Sequence, residues 1–406
     1  FFYSLNKGSK QIWPRLSDEK MCTSLFKYMS MFSVPHGLVS RQLLEETSSV
    51  SSEIFASIIR GNVSYTKFLP SGSACVQAGV RDGGALSLAE PLVPSKHRAY
   101  GPEPPVPLSP FNRLIFRATA SGLGKLRDLN YNLFSWRSSQ FKKFYDKTKT
   151  MFVEKNGRFP ALDLAAVVIP EPSKFRIITK GCGYLYSSLQ PLQGVMLDCW
   201  KRSPFSTMLS SDLTKSIQAI DEVPFPFFCS VDYEKATDLM KREVTWAAFK
   251  PLRDTPFGDL GFASLMTYNV KTPQVIRDKK TILAPLRCDG IEGSPMGHPL
   301  SFPLLCVANL AVYRRSLHIW IDKDRKNRLK YLYLRDKVLV NGDDMLFKCD
   351  MELYSIFLHV ARDAGFKLSV GKNYLSADCC LINSQIFKRE GGVMRRLGYL
   401  NLKLVY

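Results

Sequence analysis

The chain of 406 residues carries 56 Lys+Arg against 36 Asp+Glu, a formal charge of +20, with 45% hydrophobic and 23% charged residues. That length suits one large enzyme domain with subdomains or two to three small ones, and the composition excludes wholesale disorder. A charge of this size implies a polyanionic partner, nucleic acid before anionic membrane, against the plainer reading of a generic basic surface.

The ten cysteines include no Cys-x-x-Cys pair, and none of the five histidines has metal-ligand spacing with a cysteine. Both facts argue against a zinc site or a disulfide scaffold, and for small core residues in a reducing compartment. The longest apolar run, Leu300 to Tyr313, is interrupted by Ser301, Pro303 and Asn309 and is too short to cross a bilayer. The expectation is a soluble, intracellular protein without a membrane-spanning segment. A chain that opens on Phe1 and closes on the apolar stretch Tyr399 to Tyr406 reads as a piece of a longer product.

Residues 1 to 70 give amphipathic helical periodicity over Leu43 to Ile59 and no nameable chemistry. Ser71-Gly-Ser and Asp82-Gly-Gly follow, and seven of the 24 prolines fall between Pro91 and Pro110, the composition of a strap over a surface. From Arg113 to Lys149, cations alternate with aromatics, as in Phe141-Lys-Lys-Phe-Tyr145. This reads either as a helical face against a nucleic-acid backbone or as a solvated helix. No internal repeat is present. From Ile169 onward short apolar strands deliver polar residues at their ends, with helices between.

In Glu171-Pro-Ser-Lys174-Phe-Arg176-Ile-Ile-Thr179-Lys180, a short strand places Lys174 and Arg176 on one face with Lys180 beyond, a pattern able to neutralise a triphosphate. Phe225 to Val231 reads as a buried central strand ending in Asp232. Asp238 follows where a helix over Leu239 to Phe249 would begin, and taken alone it reads as an N-cap. Gly293-Ser-Pro-Met-Gly297-His-Pro-Leu-Ser301 is a Gly/Pro loop feeding an apolar helix, with Pro303 in its first turn. Such a loop lets backbone approach a ligand closely. Asn341-Gly342 between apolar runs predicts a tight hairpin with Asp343 and Asp344 at its tip, which alone reads as a solvated acidic turn. Glu352 to Arg362 reads as an amphipathic helix stopped at Gly365. A strand over Phe366 to Val370 and then Gly371-Lys372 follow, and a lone lysine there is ordinarily surface.

Asp232 and Asp343 lie 111 residues apart at the ends of two apolar strands in a strongly basic chain. If the strands are neighbours, three carboxylates converge, and hard divalent cations with oxygen ligands relieve their repulsion. Two such ions form the apparatus of in-line nucleotidyl transfer.

In their order these motifs resemble viral RNA-dependent RNA polymerases, of the ourmiavirus and narnavirus-like group related to levivirus replicases. Asp232-Tyr-Glu-Lys-Ala-Thr-Asp238 resembles the family's motif A, Gly293 to Pro303 motif B, Asn341-Gly-Asp-Asp344 motif C and Gly365 to Lys372 motif D. Ile382 to Phe387 resembles the segment after it, and Lys174-Phe-Arg176 with Thr179-Lys180 the basic fingertip motif. The likeness covers roughly residues 170 to 406, loosely Ser71 to Gly84, and not residues 1 to 70. It departs at Leu305, where many relatives carry an asparagine, with Asn309 one turn further.

The resemblance implies an α+β right hand with an antiparallel palm sheet flanked by helices, helical fingers and a largely truncated thumb. Residues 1-170 would be the N-terminal region and fingers, 171-390 the fingertip motif and palm, and 391-406 the start of the thumb. It implies RNA-dependent RNA synthesis for a positive-strand viral genome in the host cytoplasm. Asp232, Asp343 and Asp344 would hold two Mg²⁺, for which Mn²⁺ substitutes, and Lys372 would donate a proton to pyrophosphate. Lys174, Arg176 and Lys180 would bind the triphosphate, and Asp238 and Ser301 the ribose. The partners are an RNA template, its nascent strand and ribonucleoside triphosphates. A reverse transcriptase would show an aromatic residue at Asp238 and a Tyr-x-Asp-Asp turn. A non-enzymatic RNA-binding protein accounts for the charge but not for acidic clusters at strand ends.

Overall fold

The computed structural model describes residues 17–33, 37–65, 73–79, 84–85, 88, 139–152, 160–171, 174–277, 280–291, 293–323, 328–369 and 371–398. The proline-rich strap, the basic stretch up to Arg137 and the terminal apolar segment from Tyr399 lie outside the described residues.

In chain order come α1 (Asp18–Ser30), α2 (Arg41–Ile54), α3 (Ala56–Ile59), α4 (Ser139–Phe152), β1 (Leu162–Glu171), β2 (Lys174–Lys180), α5 (Gly183–Arg202) and α6 (Thr214–Asp221). Next are β3 (Phe227–Val231), α7 (Ala236–Leu239), α8 (Arg242–Phe249), α9 (Gly258–Ala263), β4 (Tyr268–Lys271), β5 (Val275–Arg277), β6 (Lys280–Leu283) and β7 (Arg287–Ile291). The last group is α10 (Ser301–Lys323), α11 (Arg328–Leu334), β8 (Val338–Asn341), β9 (Asp344–Cys349), α12 (Met351–Asp363), β10 (Tyr374–Ser376), β11 (Cys379–Ile382), β12 (Gln385–Glu390) and β13 (Val393–Arg396). This is the mixed helix-and-sheet class expected from the sequence.

The central sheet has the order β10-β3-β9-β8, and every pair in it is antiparallel. Its strands are apolar on both faces because both faces are covered. Cys229, Val231, Val338, Val340, Met345 and Phe347 point into the main core. Phe228, Leu339 and Leu346 alternate to the other side, where they meet Leu213, Ile217 and Ile220 of the α6 region and Cys380, Phe387 and Met394. Those last three come from the sheet β11-β12-β13, whose first hairpin turns on Asn383 and Ser384, both at positive φ. A second four-stranded sheet, β2-β1-β4-β7, is mixed, with β1 and β4 parallel.

Helix α10 forms the centre of the main core. Of its 23 residues 17 are buried, the pattern of a helix surrounded on all sides, and it packs on α2, α8 and α12. Its one buried cation, Arg314, reaches Glu53 of α2 in a two-pronged pair at 2.6 and 3.0 Å. Ser51 of α2 donates its hydroxyl to the Ala248 carbonyl. The N-terminal helices, which the sequence left without a role, are thus part of the central core.

Two expectations are corrected. The helix expected over Leu239 to Phe249 is two pieces, α7 and α8, separated where Met240 and Lys241 turn extended. The Lys241 amide donates to the Ala364 carbonyl, which pins the break against the end of α12. The strand expected over Phe366 to Val370 is a single bridge, Tyr233 to Leu368, flanked by the Glu234 amide on the Lys367 carbonyl and the Ser369 amide on the Asp232 carbonyl. Val370 lies outside the described residues.

The side chain of Arg314 is 4% exposed and that of Glu53 43% exposed, so the two partners do not cost the same to remove. Glu53→Ala removes the two-pronged pair of a buried guanidinium, leaving it the Asp336 carboxylate at 3.9 Å, and should cost about 2–4 kcal/mol. Arg314→Met leaves a carboxylate that water reaches, and should cost under about 2 kcal/mol. Thermal denaturation of both variants checks the order, and an equal or reversed order refutes it.

Candidate active site

The register of the central sheet brings the acidic residues together. Val231 pairs with Met345, so Asp232 leaves β3 beside the start of β9, where Asp344 pairs with Asn341 across the hairpin. The turn between β8 and β9 has two residues, Gly342 and Asp343, with Gly342 at φ +66°. A side chain at position 342 would meet the Phe302 ring at 2.8 Å, so the turn lies directly on α10.

Two contacts fix the turn on that helix, and a third ties Tyr233 to the same asparagine. The Asn309 amide donates to the Gly342 carbonyl at 3.0 Å, the Tyr233 hydroxyl donates to Asn309 at 3.0 Å, and the Gly342 amide donates to the Cys306 sulfur at 3.3 Å. Asn309 therefore connects the residue after Asp232 to the residue before Asp343. It is a positioning side chain, which the sequence marked only as an asparagine one turn beyond Leu305.

The three carboxylates act on one another. Asp343 is exposed at the tip of the turn, yet desolvation by the protein around it, followed by repulsion from Asp232, holds its carboxyl above its ordinary range. Burial, then repulsion from Asp343 and Asp232, pushes Asp344 up to about 6. Lys372 sits on both oxygens of Asp232, at 3.0 and 3.2 Å. Next to it, Asn373 accepts the Asp232 amide at 3.0 Å and donates to the Asp232 and Ser369 carbonyls. Nothing in the sequence distinguished Asn373 from a loop residue.

The cations divide. Arg176 pairs with Glu171 at 2.7 Å and lies within electrostatic reach of Asp343, whose charge it favours. Lys180 lines a cleft of about 580 Å³ with Asp18, Lys271 and Gln274, and none of the three clustered carboxylates borders it. Lys174 opens β2 in register with Glu171, and its side chain lies outside the described residues.

Asp238 is not an N-cap. It stands inside α7, whose first residue is Ala236, and it is 3% exposed. Its carboxylate accepts the Met296 amide at 3.3 Å, and burial pushes its pKa up to about 6. Ser301 donates to the Pro295 carbonyl at 3.1 Å and shares a 2.6 Å hydrogen bond with Ser294. Asp238 and Ser301 thus meet the same loop, 293–300, at neighbouring residues, Met296 for one and Ser294 and Pro295 for the other. Thr179 holds that loop on a third side, with its amide and hydroxyl both donating to the Met296 carbonyl. His298 is buried and pushed down to about 3, so it is neutral, and its Nδ1 accepts the Leu300 amide. Tyr28 of α1 reaches the same neighbourhood. Its buried hydroxyl has no partner among the described residues, its ring lies 5.1 Å from the Lys235 ammonium, and burial and then the Asp238 charge hold its phenol well above the ordinary range.

Among the described residues no three acidic, histidine or cysteine side chains form a ready metal cage. Magnesium does not require one, because it binds through one or two carboxylates plus substrate phosphates. Mutually repelling carboxylates with a cation already seated on one of them are a donor set that suits such an ion.

Because the Asp238 pKa is raised from 3.8 to about 6 in the fold, its ionisation opposes folding. The penalty is absent below about pH 4, grows between about pH 4 and 6, and is constant above, reaching up to about 3 kcal/mol. Asp238→Asn keeps an acceptor for the Met296 amide and removes the charge. The variant should melt higher than wild type at pH 7.5, with the gap closing as pH falls to 4. A variant less stable than wild type at pH 7.5 would contradict this.

No family model matches the chain. Over 256 residues it is 27% identical to the RNA-dependent RNA polymerase of Ourmia melon virus (isolate Melon/Iran/VE9), an alignment covering 58% of this chain and 29% of that protein. The chain thus corresponds to less than a third of that relative. Its fold matches the crystal structure of an insertion-loop deletion mutant of the RNA-dependent RNA polymerase of a human picorbirnavirus, with a TM-score of 0.53, 13% identity, and coverage of 98% of this chain and 69% of that one. By sequence and by fold the chain resembles viral RNA-dependent RNA polymerases, of the ourmiavirus type.

Proposed function

We propose that the chain is the catalytic portion of an RNA-directed RNA polymerase that copies a positive-strand viral RNA. The observation that carries this reading is the convergence of Asp232, Asp343 and Asp344 at one end of the two central strands of the antiparallel sheet, with Lys372 seated on Asp232. In this reading the central sheet with its helices is the palm, β2 is the fingertip motif, residues 1–170 comprise the N-terminal region and fingers, and the thumb begins near residue 391. The ten cysteines are all free, which suits the reducing host cytoplasm. Among the described residues no helix is long and apolar enough to cross a membrane.

Asp232 and Asp343, assisted by Asp344, would hold two Mg²⁺ or Mn²⁺, which supply activation of the primer 3′-hydroxyl and neutralisation of the leaving pyrophosphate. The protein's own groups do the rest. Arg176 faces the carboxylate centre from β2 and binds triphosphate oxygens, with Lys174 beside it in sequence. The 3′-oxygen bonds to the α-phosphorus as the bond to the β-phosphate oxygen breaks, and Lys372 gives its proton to the departing pyrophosphate. Asp238 accepts the ribose 2′-hydroxyl in exchange for its long contact with Met296, and Ser301 shapes the same loop. Template information comes from base pairing, so the basic surface contacts backbone rather than base edges.

The test is extension of an RNA primer on an RNA template with ribonucleotides and Mg²⁺. Asp232→Asn and Asp343→Asn should each abolish extension while leaving RNA binding largely intact, because they remove ligands and no cationic surface. Near wild-type extension by either variant refutes the centre. A preference for deoxynucleotides would favour the reverse-transcriptase reading.

Sugar choice tests Asp238. A site built to pair a hydroxyl is left with unpaired buried groups when a deoxynucleotide enters. Asp238→Ala should cut the preference for GTP over dGTP roughly tenfold or more, a change of about 1.4 kcal/mol or larger. Ser301→Ala should act in the same direction through the loop. An unchanged ratio in both variants removes the ribose role.

A further inference from the structure

We propose that Lys372 is a displaceable internal counter-ion on Asp232, a residue whose backbone Asn373 anchors, and that its displacement couples metal binding to triphosphate binding. The inference rests on the polymerase reading above and concerns what the centre does before its substrates arrive.

The geometry is specific. The Lys372 ammonium lies 3.0 and 3.2 Å from the two Asp232 oxygens, on a carboxylate that would hold a divalent cation. The segment that carries it is not loosely attached. Asn373 accepts the Asp232 amide and donates to its carbonyl, the Ser369 amide donates to the same carbonyl, and the Lys372 amide donates to the Ser369 carbonyl. The backbone of Asp232 is therefore bonded to both sides of the turn at Gly371 and Lys372, through Ser369 and Asn373, whatever the lysine side chain does. The Lys372 side chain is 57% exposed, so it can rotate away without moving that turn.

The electrostatics give the contact a purpose. Asp232, Asp343 and Asp344 repel one another in a partly buried site, and a fixed cation relieves that repulsion when no metal is bound. The same ammonium then competes with a metal for Asp232. Metal binding alone must expel it into water with no new partner. When a triphosphate or pyrophosphate enters together with the metal, the ammonium leaves Asp232 for phosphate oxygens close by. Each ligand then helps the other through one lysine, which is a coupling free energy and is necessarily reciprocal. The lysine arrives at the leaving group by the same movement.

The experiment is a titration of the intact chain with Mn²⁺, followed by calorimetry or by the electron paramagnetic resonance of free Mn²⁺, with and without inorganic pyrophosphate. Wild type should bind Mn²⁺ roughly tenfold or more tightly with pyrophosphate present. Lys372→Met should bind Mn²⁺ alone more tightly than wild type, by about tenfold, and should gain less from pyrophosphate. Asn373→Ala should move the other way, binding Mn²⁺ more weakly in both conditions, because it loosens Asp232 itself. Opposite signs at adjacent residues are not the signature of a general loss of structure, which would weaken both variants.

Asp232→Asn separates this inference from the reading beneath it. If Asp232→Asn abolishes Mn²⁺ binding but Lys372→Met binds no more tightly than wild type, or keeps the full gain from pyrophosphate, the counter-ion is refuted and the centre stands. If wild type and Asp232→Asn bind Mn²⁺ equally, both the counter-ion and the metal centre fail.

Discussion

The carboxamide of Asn309 is the contact on which the arrangement of the centre depends. It sits in α10, accepts from the Tyr233 hydroxyl and donates to the Gly342 carbonyl, and all of these groups are buried. Two chain segments more than a hundred residues apart are thereby tied to one rigid element, one by the residue after Asp232 and the other by the residue before Asp343. Hydrogen bonds in such surroundings are strengthened by the low local dielectric and are costly to leave unmade. The helix that carries Asn309 is held by apolar packing on every side, so it supplies a fixed reference against which both acidic residues are placed.

The loop at residues 293–300 depends on the same principle applied to backbone. Gly293 and Gly297 both adopt φ +110°, and a side chain at either would fall within 2.6 and 2.4 Å of the carbonyl oxygens of Asp238 and Thr179 respectively. The loop is thus pressed between α7 and the end of β2, with its own amides and carbonyls bonded to both. Asp238 is buried by this contact, and its raised pKa is the electrostatic consequence of being covered. The two regions that bracket the proposed nucleotide position are therefore joined through one loop that has no regular secondary structure of its own.

What the sequence made legible follows from how local each signal is. Asp232 and the Asp343–Asp344 turn could be read because apolar runs and an Asn-Gly pair announce a strand end and a hairpin within a few residues. The α10 boundary was readable from Ser301 and Pro303 for the same reason. Asn309, Asn373 and Tyr28 could not be read, because each acquires its meaning from a partner far away in the chain. The break between α7 and α8 was missed because it is imposed by the end of α12, a tertiary contact that overrides an otherwise helical stretch. Lys180 follows the period-two pattern of its strand, but that it lines a cleft with Asp18 and Gln274 could not be read, since strand periodicity assigns a face and not a neighbour.

Gly342 joins two constraints that evolution would have to relax together. Its φ of +66° alone admits asparagine or aspartate at some cost, but the Phe302 ring occupies the volume any side chain would take. Drift at position 342 is therefore blocked by a second residue 40 positions earlier in the chain, and a smaller residue at 302 is the permissive first step. Among relatives that replace this glycine, the aromatic residue on the helix should already be lost, so the pair would change as one epistatic unit rather than as two independent sites.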